Sequence, residues 1–93
     1  MKASILQNEQ SCIICGTMTG LEHHHCFPGN PNRKHSDEDG LWVWLCGEHH
    51  RGNMSVHFNR NMDLKLKRFA QQKYEETHTR EEFVRRYGRN YLD

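Results

Sequence analysis

Leu21-Glu22-His23-His24-His25-Cys26-Phe27-Pro28-Gly29 sets three consecutive histidines inside a short apolar frame. Imidazoles placed beside Cys26 and Phe27 ask for polar partners, because a polar group taken out of water unpaired costs free energy. The answering stretch is Leu41-Trp42-Val43-Trp44-Leu45-Cys46-Gly47-Glu48-His49-His50. Together the two hold five of the eight histidines and two of the four cysteines, so the chemistry is concentrated where they meet. Both read as strands, over Leu21 to Phe27 and Leu41 to Leu45, the second rich in the aromatic and β-branched residues that strands favour. The loop at Pro28-Gly29-Asn30-Pro31-Asn32 separates them, followed by a polar stretch, Arg33 to Gly40, with one helical turn at Ser36-Asp37-Glu38.

Working outward, Cys12-x-x-Cys15 precedes the first strand and Cys46-x-x-His49 ends the second. Each pair sits at a chain reversal, Gly16 permitting the first, and two such pairs are the usual ligand set of a structural zinc ion. A closed site of that kind pins the N-terminal knuckle to the second strand and staples a small core. Cys26 is left over. It either packs as a small hydrophobe beside Phe27 or displaces His49 as a ligand.

With His49 assigned to zinc, His24, His25 and His50 have no structural task. Consecutive strand residues point to opposite faces, so His24 and His25 share a site only if the chain bends or bulges before Pro28-Gly29. His50 then faces them from the start of the next segment. Such a group offers an imidazole pair for a divalent ion and a free imidazole, titrating near neutrality, to take a proton from water. The plainer alternative is a polar strand edge, or histidines that bind metal adventitiously.

Towards the C-terminus, Asp63 to Thr77 reads as the best helix, with Leu66, Phe69, Ala70 and Tyr74 on one face and the Lys73 stem beside them. Thr79-Arg80-Glu81-Glu82 is a capping box that opens a short helix through Phe83, Val84 and Tyr87, ended by Gly88. Phe69, Tyr74, Phe83 and Tyr87 are expected in the core, and Trp42 and Trp44 in core or zinc-shell packing rather than base stacking. Residues 1–11 are polar and aperiodic, a frayed or loosely docked start.

Ninety-three residues make a single domain, 1-93, with a core at 12-58 and a helical part at 62-93. A chain this short buries only about two thirds of its unfolded surface, which makes a metal staple welcome. Residues 1–10 lack a secretory h-region, and no apolar run approaches the about 18 residues of a membrane span. The expected setting is cytoplasmic and reducing, without a membrane partner, where Cys-x-x-Cys favours metal over disulfide. Residues 1–50 carry three Lys/Arg against six Asp/Glu, whereas residues 51–93 carry ten against six. The second half therefore suits phosphate contact, through Lys65, Lys67, Arg68, Arg85, Arg86 and Arg89, although a solvated helix face is the commoner role for each. Arg33 and Lys34, between the strands, are further candidates.

The joint pattern Leu21-x-x-His24-His25-x-Phe27, Gly29, Arg33-Lys34, Gly40-Leu41-x-Val43-x-Leu45-Cys46-x-x-His49-His50, Val56-His57 resembles the HNH endonucleases, the ββα-metal or His-Me finger group. It is most similar to the small HNH proteins of bacteriophages and prophages, which Leu64-Lys65-x-Lys67-x-Phe69-Ala70-Gln71 also resembles. The resemblance implies an α+β fold, a small zinc-stapled ββα-metal core with additional C-terminal helices. It implies a hydrolase of phosphodiester bonds in DNA, with His25 as general base. His24 and His50 match the holders of a catalytic ion, Mg2+ or alternatively Mn2+ or Ni2+, with His57 a further ligand or leaving-group contact. Cys12, Cys15, Cys46 and His49 match the structural zinc ligands. The chain departs from the family at the central Asn, where Leu41 stands, so the orienting contact to the base must come from elsewhere. A domain this small also has little surface for reading a long site, which suggests reliance on a phage recombination or packaging protein. A second reading is a non-catalytic zinc-stabilised nucleic-acid-binding module on the same scaffold.

Overall fold

In the computed structural model, which describes residues 2–93, β1 (Leu21–His25) and β2 (Trp42–Cys46) form an antiparallel ribbon. Around it stand α1 (Asn32–Asp39), α2 (Gly47–His50), α3 (Arg60–Tyr74) and α4 (Arg80–Tyr87). The domain is α+β. Leu21 lies opposite Cys46 and His25 opposite Trp42, so the two stretches singled out above pair with each other over five residues each. A lone two-stranded ribbon is marginal in water, and here its Val43 face is covered. Leu41, Val43, Leu45 and Phe27 are fully buried with Leu66 and Ala70 of α3 and Phe83 and Tyr87 of α4. Cys26 belongs to the same cluster with no exposed surface, and burial pushes its thiol up to about 12, so it packs as an apolar residue.

β1 stops two residues short of the expected strand. Pro28 has no N–H for the ladder, and the chain bends at Cys26 and Phe27 after one last bond, Cys26 N donating to Leu41 O at 3.2 Å. α1 runs eight residues where a single turn was expected. It has no apolar stripe to betray it, because polar contacts to α4 hold it. Asn32 Nδ2 donates to Tyr87 O at 3.0 Å, and Arg86 Nε and the Tyr87 hydroxyl each donate to Asp39 Oδ2 at 2.6 Å. Gly40 closes α1 at φ 73°, where a Cβ would stand 2.6 Å from Ala3 O.

The N-terminal segment is not frayed, and Met1 alone of residues 1–11 lies outside the described residues. Leu6 is buried in the core. Ser4 Oγ donates to Trp42 O at 2.6 Å, Trp42 Nε1 to Lys2 O at 2.9 Å, and Trp44 N to Gln7 Oε1 at 2.8 Å. The bonds to Trp42 O and Trp44 N satisfy the free edge of β2, a task that needs no apolar periodicity.

α3 starts at Arg60, earlier than the apolar spacing indicated, because the Asn59 side chain caps it by accepting from Met62 N at 3.0 Å. It ends at Tyr74, and α4 begins with the expected capping box at Thr79 and Glu82. Tyr74, Phe83 and Tyr87 are core, whereas Phe69 is half-buried at its margin. Trp42 is buried and Trp44 partly so, their rings edge to face at 5.1 Å. Among the described residues no helix is long and apolar enough to cross a membrane.

Candidate functional site

The end of β2 and the knuckle before β1 bring four donors together. Cys12, Cys15, Cys46 and His49 present ligand atoms that all lie within 4.8 Å of one another. Cys15 Sγ stands 3.8 Å from Cys46 Sγ, and His49 Nδ1 lies 3.2 Å from Cys46 Sγ and 3.7 Å from Cys12 Sγ. A disulfide needs sulfurs about 2.05 Å apart. Two thiolates about 2.3 Å from one tetrahedral ion stand about 3.8 Å from each other, so the cluster has the dimensions of a metal site. The electrostatics favour thiolate at Cys12, whereas Cys15, beside the Cys12 and Cys46 sulfurs, is raised. Burial raises the Cys12 thiol, but backbone N–H groups of Cys46, Cys15 and Ile14 outweigh it and bring the group down to about 6, favouring thiolate. The knuckle is anchored independently by Ile13 N donating to Trp44 O at 3.0 Å.

The three histidines of β1 divide by strand alternation. His24 points towards α2 and the segment that follows it, its ring 5.3 Å from that of His50 and 6.4 Å from that of His57. It is buried, and its Nε2 has no hydrogen-bond partner. Burial, with His50 as the next cause, holds it down to about 4, so it is neutral with a free lone pair at physiological pH. His50 Nδ1 lies 2.6 Å from Glu22 Oε1, which accepts its proton, and Arg51 Nε donates to the same oxygen at 2.9 Å. This is the carboxylate support that metal-ligating histidines commonly have, and it leaves Nε2 of His50 as the free donor. His57 is exposed, at the rim.

His23 and His25 take the other face. Both place Nε2 3.0 Å from Oδ1 of Asp37, on α1. Asp37 carries no signal of its own in the sequence, since it reads as part of the solvated run Asp37-Glu38-Asp39. Glu22 was equally silent.

Both faces border one cavity of about 620 Å³, lined by His23, His24, His25, His50 and His57. Arg33, Arg60 and Lys67 stand on the same wall, with Asp63, which pairs with Lys67 at 2.8 Å. Arg33 thus joins the histidines, although from a helix and not a loop. Lys34 lies beside it on a neighbouring depression with Gly29, Asn30 and Asp37. Arg60 was not foreseen, because the apolar spacing began α3 after it. Arg86 is spent on Asp39 and Glu38, and Arg68 Nε donates to Tyr91 O at 2.9 Å, so neither stands free. No protein-family model, curated protein or solved structure matches this chain.

Proposed function

We propose that this protein is a metal-dependent endonuclease of the HNH type, hydrolysing phosphodiester bonds in DNA on a ββα-metal core. What carries the reading is the cavity wall. There a buried, unpartnered His24 Nε2, a carboxylate-supported His50 and a carboxylate-held His25 stand beside the cations Arg33, Arg60 and Lys67. A polar atom buried without a partner calls for an explanation, and a bound ion supplies one. His24 and His50 hold the catalytic ion, with His57 at its rim, and Cys12, Cys15, Cys46 and His49 hold a structural zinc. An Mg2+-type ion at the histidine site supplies positive charge for the phosphoryl and departing oxygens.

His25 is the base. Its Nε2–H donates to Asp37, which puts the lone pair on Nδ1, the nitrogen that takes a proton from water. Asp37 therefore provides the orienting contact that Leu41, in the place of the family's Asn, does not. Arg33 and Arg60 set the scissile phosphate over His25 by charge, while Lys67 is held by Asp63.

Incubation of supercoiled plasmid with Mg2+, Mn2+ or Ni2+ is expected to yield nicked circles, and excess chelator to stop it. The rival reading, a zinc-stabilised DNA-binding module, is favoured by Leu41 alone. It predicts retarded DNA in a gel-shift experiment and intact plasmid with every ion.

A further inference from the structure

We propose that His23, His25 and Asp37 form a second metal site that takes Zn2+, and that filling it switches the base off. The site follows from geometry on the page. Alternation along β1 sets His23 and His25 on one face, opposite Trp44 and Trp42 in the ribbon register. Their Nε2 atoms converge on one oxygen, Asp37 Oδ1, at 3.0 Å each, and the three ligand atoms lie within 4.8 Å of one another. Among the described residues only this group and the Cys12 cluster gather three or more such donors so closely. The side chains are 21%, 22% and 35% exposed, so an ion can reach them from solvent.

The rings are also preorganised. His23 stacks on Trp42 with centroids 4.1 Å apart and planes 19° apart, and its ring lies 4.6 Å from that of His25. Two imidazoles and a carboxylate are a donor set that suits zinc.

The switch is a matter of tautomers, and it rests on the nuclease reading above. As a base, His25 carries its hydrogen on Nε2, donated to Asp37, and its lone pair on Nδ1. As a ligand through Nε2 it must bear the lone pair there, and the single hydrogen of the neutral ring moves to Nδ1. A ring in that state has no site left to accept a proton from water. Occupied and catalytic forms of His25 are mutually exclusive.

The test compares the full-length protein with His23→Phe, which keeps a ring on Trp42 and removes one donor. After equilibrium dialysis against Zn2+, metal analysis is expected to find one zinc fewer per chain in the variant. In Mg2+-supported plasmid nicking, the Zn2+ concentration for half-inhibition is expected to rise by at least about tenfold, the scale of a disturbed metal shell. Equal zinc content in the two proteins overturns the site. One zinc fewer with unchanged inhibition leaves the site standing and overturns the switch. Failure of both proteins to nick DNA in Mg2+ overturns the switch together with the nuclease reading, while the zinc count still decides the site.

Discussion

On the proposed zinc assignment, Cys46→Ser, or a strong chelator added to the wild type, is expected to unfold the domain. Cys12 and Cys46 are 2% and 9% exposed and belong to the same apolar cluster as Leu45 and Leu6. Two of the four donors thus belong to the core, while Cys15 is exposed and His49 is partly buried. The four-donor site joins the knuckle to the end of β2, and without it three thiols and an imidazole are left to repel or rehydrate inside a small domain. Structural zinc in finger peptides is worth about 10–16 kcal/mol, against a total stability of about 5–15 kcal/mol for a typical domain. Loss of that contribution leaves no folded state to populate. Far-ultraviolet circular dichroism and amide dispersion in proton NMR are expected to collapse with chelator and return with Zn2+. A cooperative melt that survives complete metal removal contradicts this. Cys26→Ala is the control. That side chain lies in apolar packing, so the variant keeps its zinc and its fold.

Phe83→Ala has the next largest effect. Phe83 has no exposed surface, and its ring packs at 5.2 Å from Phe27, 4.8 Å from Tyr87 and 5.6 Å from Tyr74. It is the point at which α3, α4 and the end of β1 meet. Truncating a buried phenyl removes its transfer free energy and leaves a cavity, costing about 3–5 kcal/mol. In a domain of this size each kcal/mol moves the melting temperature by about 4–8 °C, so a fall of tens of degrees is expected. Thermal unfolding at equal zinc content checks it, and a shift of only a few degrees overturns the packing account. The neighbouring Val84→Ala is the contrast. Val84 is 36% exposed, and its truncation is expected to cost within about 0.5 kcal/mol.

The Phe83 result also bears on the site. Arg86 and Tyr87 of α4 hold Asp39, and Asp39 lies on the helix that carries Asp37. Loosening α4 therefore loosens the contact to His25 without touching either residue.

How much of this was legible in the chain depended on how local each signal is. Cys12-x-x-Cys15 and Cys46-x-x-His49 declare themselves because two ligands on one turn need fixed spacing, and the fold brings them together as expected. The apolar run from Trp42 to Leu45 and the Leu66, Ala70, Tyr74 face announce a strand and a helix by period. α1 was legible only as a turn, because its stability comes from Arg86, Tyr87 and Asn32 contacts made far along the chain. Asp37 and Glu22 escaped for the same reason. Each is an ordinary acidic residue until the ribbon register places a histidine 3.0 Å or 2.6 Å from it. The N-terminal segment escaped because hydrogen bonds to a strand edge leave no hydropathy pattern. Strand alternation puts neighbours in the run His23-His24-His25 on opposite faces, and uniting them calls for a bend. β1 is regular through His25, so the rings stay on opposite faces, and one cavity borders both.

The central claim, that His25 is the base of a DNA-cutting site, is tested most directly by plasmid nicking with wild type and His25→Ala side by side. Both are first matched for zinc content and thermal melt, so that a difference reports chemistry and not folding. With Mg2+ or Mn2+ the wild type is expected to cut and the variant to be slower by about 100- to 10,000-fold, the range of a lost general base. Equal rates in the two folded, zinc-loaded proteins contradict the assignment.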